Sequence, residues 1–166
     1  MSKNKGFTLM EMLVVIGVFA ALAAIATQSI LLSVKGTRKA EATGKLRGNL
    51  EYALGVMERR LRMATDVGCL GNPDQIDFYD EADSWAVGAV YYLCDIAGSD
   101  DNITTNAYSG GLLDTNTVDL TACSFTCDDL ADPRTLTISL SANEQNVTGV
   151  ESAQVDVSTT IVLRNR

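Results

Sequence analysis

The cysteines are the residues of this sequence whose type and spacing most clearly allow chemistry. The chain of 166 residues contains four, all beyond residue 68: Cys69, Cys94, Cys123 and Cys127. An even number of cysteines in a domain outside the membrane favours disulfides formed in an oxidising compartment. Zinc is the alternative, but structural zinc sites use paired short spacings, and here only Cys123 and Cys127 are close together. We therefore predict disulfide bonds.

The sequence leaves two cysteine pairings open. If Cys123 and Cys127 share one strand, four steps of about 3.3 Å place their Cα atoms about 13 Å apart, and a bridge needs about 4.4–6.8 Å. These two would then pair separately with Cys69 and Cys94. If a turn intervenes at residues 124–126, a local Cys123–Cys127 bridge leaves Cys69 to pair with Cys94. The turn-like residues after Cys127 slightly favour this second scheme.

Catalysis is not indicated by the composition. Histidine is absent, which removes the commonest general base and the nucleophilic arrangements that depend on it. The Gly110-Gly111 pair lacks the lysine and the strand-to-helix context of a phosphate-binding loop. We predict that the protein is not an enzyme and needs no cofactor.

Calcium is the metal that the loop carboxylates allow, because it prefers oxygen ligands in flexible segments. Neither of two acidic groups has the spacing of a helix-loop-helix calcium site. The first group is Asp95, Asp100 and Asp101 with Asn102, and the second is Asp128, Asp129 and Asp132. The prediction is no specific metal site, with these residues as weak calcium candidates.

Short alternating runs predict the strands that must position the cysteines and acids. Residues 86–94 are rich in Val, Tyr and Ala, and apolar residues alternate with polar ones in 118–122, 136–140 and 155–163. The polar segment 141–152 suits the connection of an antiparallel pair, and 95–111 is predicted to be a surface loop. About four antiparallel strands result.

A long helix is predicted before these strands. A stripe of apolar residues recurs at spacings of three and four: Leu46, Leu50, Ala53, Leu54, Met57, Leu61 and Ala64. This spacing places them on one face of an amphipathic helix that ends near residues 66–68, where a sheet can pack. The predicted fold class is α+β, with a long N-terminal helix packed on a small antiparallel β-sheet.

The beginning of the helix has the character of a membrane anchor. Residues 7–34 contain Glu11 as their only ionisable side chain, and a membrane-spanning helix needs about 20 apolar residues. Residues 35–66 carry eight basic and four acidic side chains, whereas 67–166 carry three arginines and sixteen acids. The acidic part would repel phosphates, so we predict no nucleic-acid binding there. The predicted segments are 1–6, a leader; 7–34, a transmembrane helix; 35–67, its amphipathic half; and 68–166, a β-rich head.

The residues from Lys5 to Val15 resemble the leader of type IV pilins and pseudopilins, with matching residues at Gly6, Phe7, Thr8, Leu9 and Glu11. The resemblance implies that a prepilin peptidase cuts between Gly6 and Phe7 and methylates the new amino terminus of Phe7. It also implies the partners: other pilin or pseudopilin subunits, an inner-membrane assembly platform and membrane lipid.

The same resemblance implies a pilin-like fold and a location. The basic flanks of residues 7–34 do not decide orientation, but the cysteines and the leader place the N-terminus in the cytoplasm. The chain would be a single-pass protein of the bacterial inner membrane that later enters a pilus or pseudopilus, in the periplasm or at the cell surface. Three later features are similar to minor pilins and J-type minor pseudopilins: Arg60-x-Arg62-x-Ala64, the cysteine-rich run 123–127 and the basic end 163–166.

Glu11 has two candidate roles. Thr8-x-x-Glu11 fits a capping box at the start of a helix. A charged side chain in hydrocarbon costs about 2.5–3.5 kcal/mol on insertion scales and by default marks a functional pairing. The resemblance names the partner, the methylated amine of Phe7 on a neighbouring subunit, and makes Glu11 an assembly residue. Both roles can hold at different stages.

Two functions therefore compete. The favoured prediction is a structural minor subunit of a type IV pilus or type II secretion pseudopilus. The alternative is an uncleaved, membrane-anchored extracytoplasmic binding module, an adhesin or a sensor. Cleavage after Gly6 separates them.

Overall fold

The computed structural model describes residues 6, 8–68, 72–79, 90–96, 101–107, 109–128, 134–147 and 152–163. Helix α1 spans Leu9–Met63, a length of 55 residues. The chain divides into two compact units, Met1–Arg38 and Lys39–Arg166, and α1 contributes to both. The predicted continuation of the helix beyond its apolar part is confirmed, although it ends at Met63 rather than at residues 66–68.

The first unit consists, in its described part, of the start of α1. All of its described side chains are exposed, and α1 contains a stretch long and apolar enough to cross a membrane. The hydroxyl of Thr27 donates to the carbonyl of Ala23 at 2.8 Å, and that of Thr37 to the carbonyl of Ser33 at 3.0 Å. The helix itself therefore satisfies the hydrogen-bonding groups of these polar side chains.

The second unit contains seven described strands in two antiparallel sheets. Sheet A has the order β1-β2-β3-β4 and comprises β1 (Asp66–Gly68), β2 (Gln75–Tyr79), β3 (Val90–Asp95) and β4 (Asn102–Thr105). Sheet B has the order β5-β6-β7 and comprises β5 (Val118–Asp128), β6 (Thr135–Glu144) and β7 (Gln154–Val162). The α+β class, with a long helix and antiparallel sheets, is confirmed.

The core of this unit contains the predicted face of α1. All seven apolar residues of the predicted stripe are buried, from Leu46 to Ala64. On β6 the buried residues alternate strictly with hydroxyl-bearing ones, so Leu136, Ile138 and Leu140 enter the core and Thr137 and Ser139 face outwards. Local periodicity thus decided which side of each element is buried.

The strand prediction was incomplete. Strands β1, β2 and β4 were not predicted, and β4 lies inside the segment 95–111 that was expected to be a loop. Strand β6 continues to Glu144, into the predicted connection 141–152, and β5 runs unbroken through the expected turn at 124–126. Of the predicted strand 86–94, residues 86–89 lie outside the described part of the chain.

Asn102 explains why β4 could form in a polar segment. Its side-chain oxygen accepts from the backbone N–H groups of Ile103 at 2.8 Å and Leu113 at 3.0 Å, and its side-chain nitrogen donates to the Leu113 carbonyl at 3.2 Å. The backbone N–H of Leu112 also donates to the carbonyl of Ile103. The buried amide therefore holds the following loop against β4, which gives Asn102 a structural role.

Replacing Gly111 with alanine is expected to destabilise the head by about 1–3 kcal/mol. A methyl group at this position would overlap the side-chain amide of Asn102, which is buried and holds three hydrogen bonds. Gly48→Ala is the matched control, because the space around Gly48 is open and alanine is the better helix former. Thermal unfolding should show a lower midpoint for Gly111→Ala and an unchanged or higher one for Gly48→Ala; equal midpoints would contradict the account of Asn102.

Candidate functional site

The first candidate site is the start of α1. Gly6, the residue before the predicted cleavage point, is exposed, and Phe7 lies outside the described residues. The backbone N–H of Glu11 donates to the Thr8 hydroxyl at 3.3 Å, and that of Met12 donates to the Thr8 carbonyl at 3.2 Å. Thr8 therefore caps the helix by satisfying a first-turn N–H group.

The carboxylate of Glu11 does not complete a capping box. It is exposed, and within the described part of the chain it has no hydrogen bond or ion pair. Capping is thus carried out by Thr8 without the acidic side chain. The Glu11 carboxylate, which lies in the first turn where the helix dipole favours a negative charge, stays available for a partner outside the chain.

The second candidate site is the junction between the two sheets, which a disulfide crosses. Cys94 on β3 is bonded to Cys123 on β5, and their Cα atoms lie 5.9 Å apart. Next to it, the backbone N–H of Phe125 donates to the Pro73 carbonyl at 2.7 Å, and that of Cys94 donates to the Asp74 carbonyl at 2.8 Å. The first of these hydrogen bonds links β5 to the segment before β2, and the second lies within sheet A, so sheets A and B are joined at one place by the disulfide and by the Phe125–Pro73 hydrogen bond.

This bridge corrects the favoured cysteine pairing. The local Cys123–Cys127 scheme is wrong, because both residues lie on the continuous strand β5, where a four-residue separation is too long for a bridge. The other scheme, in which they pair separately, agrees with the Cys94–Cys123 bond. Cys127 is also disulfide-bonded, and Cys69 lies outside the described residues.

The calcium candidates fall in two places. Asp95 ends β3 and lies opposite Asn102, next to Asp101, whereas Asp128 ends β5. Asp100, Asp129 and Asp132 lie outside the described residues. Among the residues that the structure does describe, no group of three or more His, Cys, Asp or Glu side chains is arranged to hold a metal.

Asp101 has an unexpected neighbour in Asp119 of β5. Burial raises the pKa of the Asp101 carboxyl, and so do its hydrogen bond to Asp119 and the charges of Asp119 and Asp95. The contact crosses from sheet A to sheet B. It was not predicted, because Asp101 and Asp119 are far apart in the sequence and only the packing of the two sheets brings them together.

Asp119→Asn is expected to raise stability slightly at neutral pH. Because the pKa of Asp101 is raised in the folded state, folding is less favourable when this carboxyl is ionised. This cost in folding free energy is present at neutral pH and disappears as the pH falls through the raised pKa. The gain from Asp119→Asn should therefore vanish in acid.

Asp114→Asn provides a control of opposite sign. Asp114 accepts hydrogen bonds from the Asn116 side chain at 3.0 Å and backbone at 3.1 Å, which lower its pKa. The stabilisation that these hydrogen bonds give the folded state is present at neutral pH and is lost in acid. Asp114→Asn should therefore be less stable than the wild-type chain only at the higher pH. Unfolding midpoints at pH 7 and pH 3 check both signs; a gain for Asp119→Asn that persists in acid would contradict the carboxyl contact.

Three basic side chains of α1 pair with acids of the same helix. Three ion pairs follow the helix surface at a spacing of four residues: Glu41–Lys45 at 2.9 Å, Arg47–Glu51 at 2.7 Å and Glu58–Arg62 at 2.5 Å. Lys45 lowers the pKa of Glu41 by a hydrogen bond and by its charge, and Glu41 raises the pKa of Lys45. Such exposed pairs contribute little to stability, because water screens the charges and ordering the two side chains costs entropy.

Arg59 differs from these paired residues. It is exposed and has no ion pair or hydrogen bond with any described residue. The difference follows from the spacing of charges in the sequence, because the positions four residues before and after Arg59 hold Gly55 and Met63 instead of an acid.

Comparison with known families identifies the N-terminal site. Residues 1–27 match the family model described as the prokaryotic N-terminal methylation motif. No curated protein and no solved structure gives a significant match to the chain. The match covers the first 27 residues, and together with the apolar helix and the antiparallel sheets it supports a type IV pilin-like protein.

The motif also bears on processing, assembly and the kind of role. It indicates processing of the prepilin type by a prepilin peptidase, assembly with other pilin subunits and a structural role rather than an enzymatic one. The motif and the apolar helix together support a membrane-inserted, single-pass protein.

Proposed function

We propose that this chain is a minor structural subunit of a type IV pilus or type II secretion pseudopilus. The observation that carries the proposal is the methylation motif placed directly before a helix whose apolar part holds one unpaired carboxylate, Glu11. A minor rather than a major subunit is supported by the head, which is strongly acidic.

In this proposal the subunit waits in the bacterial inner membrane with its N-terminus in the cytoplasm and its disulfide-bonded head outside. The peptidase removes residues 1–6 and methylates Phe7. The assembly platform then transfers the apolar helix from lipid into the filament, where it packs against the helices of other subunits. Glu11 pairs there with the methylated amine of an adjacent subunit, which offsets the cost of its charge in apolar surroundings.

Intact-mass spectrometry of the chain from the membrane fraction of a host with a prepilin peptidase tests this proposal. We expect a species that lacks residues 1–6 and carries one methyl group on Phe7, and no such species in a strain without the peptidase. The full-length chain in both strains would instead support the membrane-anchored adhesin or sensor.

The minor role requires a second measurement. Filaments sheared from the same cells should contain the chain at a small fraction of the amount of the main subunit, as quantified from isotope-labelled reference peptides. An amount equal to that of the most abundant subunit would overturn the minor role, and its absence from all filaments would overturn the structural one.

A further inference from the structure

The head contains two copies of the sequence motif that marks acceptors of N-linked glycans. The motif is an asparagine followed two residues later by serine or threonine, with any residue except proline between them. The two copies are Asn102-Ile103-Thr104 and Asn146-Val147-Thr148, and an acid lies two residues before each asparagine, Asp100 and Glu144. Both motifs therefore offer the same kinds of side chain to a modifying enzyme, and the structure is what distinguishes them.

The first motif is inaccessible in the folded head. Asn102 is 8% exposed and lies on β4, which pairs with β3. Its amide nitrogen, the atom that would receive a sugar, donates to the Leu113 carbonyl at 3.2 Å, and its amide oxygen accepts two backbone hydrogen bonds. Modification of Asn102 would require this part of the head to open.

The second motif has the opposite surroundings. Asn146 lies in the turn after β6, where it is exposed, and its side-chain amide has no hydrogen bond with any residue that the structure describes. Its φ angle of 62° belongs to the left-handed region, which asparagine tolerates better than most residues. Just before it, the backbone N–H of Gln145 donates to the Thr117 carbonyl at 3.2 Å. The amide of Asn146 is thus presented to solvent on an anchored turn.

We propose that Asn146 is the acceptor of an N-linked glycan on the head. The donor is an oligosaccharide joined to a membrane lipid through a diphosphate, and a membrane oligosaccharyl transferase catalyses the transfer. The amide nitrogen of Asn146 forms a bond to the anomeric carbon of the first sugar and loses one proton. The bond from that carbon to the diphosphate oxygen breaks, and the lipid diphosphate leaves with the electron pair.

The inference uses the proposed function only for the location of the head outside the inner membrane, where such a transferase acts. Thr148 completes the motif in the sequence and lies outside the described residues. A glycan at Asn146 would extend from the connection between β6 and β7 into solvent and leave the core untouched.

Mass spectrometry of the full-length chain tests this site. The chain is produced in a bacterial host that carries a prepilin peptidase, a periplasmic oligosaccharyl transferase and the lipid-linked glycan, and in the same host without the transferase. We expect the mass of the glycan on the peptide that contains Asn146, and only in the first host. The occupancy of Asn146 should exceed that of Asn102 at least about tenfold, because exposure of Asn102 breaks its buried hydrogen bonds.

Synthetic peptides separate the effect of the motif from that of the fold. Peptides 98–106 and 142–150 contain the two motifs without the surrounding structure. The purified transferase should modify both at comparable rates, because neither asparagine is buried in a short peptide.

Variants of the second motif distinguish loss of the acceptor from damage to the turn. Asn146→Gly removes the amide but keeps the backbone conformation, because glycine adopts a positive φ without strain, and it should abolish the modification. Thr148→Ala should abolish it as well, whereas Thr148→Ser preserves the motif and should retain it.

The remaining outcomes overturn the inference. A bare Asn146 in the chain, from a host whose transferase does modify peptide 142–150, excludes the site, and so does a failure to modify that peptide. Equal occupancy of Asn146 and Asn102 in the folded chain excludes selection by the structure. Failure of the proposed function looks different, because the same spectra would then show an intact leader whether or not Asn146 carries a glycan.

Discussion

Replacing Glu11 with alanine is expected to leave cleavage after Gly6 and methylation of Phe7 intact and to lower incorporation into filaments about a hundredfold. In the membrane the unpaired carboxylate costs about 2.5–3.5 kcal/mol, and this cost favours transfer into a filament that offers a cation. Alanine removes both the cost in lipid and the pairing in the filament. An equilibrium shift of that free energy corresponds to about two powers of ten.

The structure supports this separation of processing from assembly. The helix cap is made by Thr8, so Glu11→Ala removes no contact that a described residue makes with the Glu11 side chain. The first turn of α1 should therefore form as before, and the peptidase should meet the same leader. Met12→Ala changes the adjacent position without changing charge and serves as the matched control, with Glu11→Gln to separate loss of charge from loss of size.

Two quantities are measured for each variant: intact mass of the membrane-bound chain, and its amount in sheared filaments. Glu11→Ala that is fully cleaved and present in filaments at the wild-type level would remove the pairing role. Loss of cleavage in Glu11→Ala would place the residue in peptidase recognition instead.

The helix could be predicted almost completely from the sequence because its signals are local. A repeat of three and four residues identified the buried face, and the apolar run with one acid identified the anchor. The predicted assembly site also rests on local signals, since Gly6, Thr8 and Glu11 lie within six residues of each other.

The head was harder to predict because its decisive contacts are long-range. In β2, Ile76 and Phe78 alternate with polar residues as a strand requires, but the strand has only five residues and lies in the acid-rich segment 74–83. In β4 a polar residue, Asn102, occupies a buried position. Its burial depends on backbone groups of Leu113 that lie eleven residues away, and no hydropathy pattern reports such a contact.

The disulfide pairing shows the same limit. The sequence predicts disulfides and the length of β5 excludes a local bridge, but only the packing of sheet A against sheet B places Cys123 beside Cys94 rather than another cysteine. Likewise, the ion pairs at a spacing of four could be expected from α1 alone, whereas the carboxyl contact of Asp101 with Asp119 could not.

Removing the Cys94–Cys123 bond is expected to destabilise the head by about 3–4 kcal/mol. The bond closes a loop with a sequence separation of 29, and the loss of entropy that it imposes on the unfolded chain accounts for about that amount. Both sulfur-bearing side chains are buried, at 6% and 5% exposure, so alanine at both positions keeps the core apolar and avoids a buried hydroxyl.

The double variant Cys94→Ala with Cys123→Ala also avoids exchange with a free thiol at the junction. Its thermal midpoint should fall by about 10 °C or more for a unit of this size. The backbone hydrogen bond from Phe125 to Pro73, which links the two sheets, does not involve sulfur, so the sheets should still meet at low temperature. Circular dichroism at 10 °C should accordingly show wild-type content of helix and strand.

Peptide mapping without reduction completes this test and extends it to the remaining cysteines. In the wild-type chain we expect Cys94 joined to Cys123. We also expect Cys127 joined to Cys69, because Cys69 is the remaining cysteine of the four. The double variant should retain the second link and melt early, whereas the wild-type chain treated with reductant should lose both links and melt earlier still. A Cys123–Cys127 peptide in the wild-type chain, or an unchanged midpoint in the double variant, would contradict a covalent junction that stabilises the two sheets.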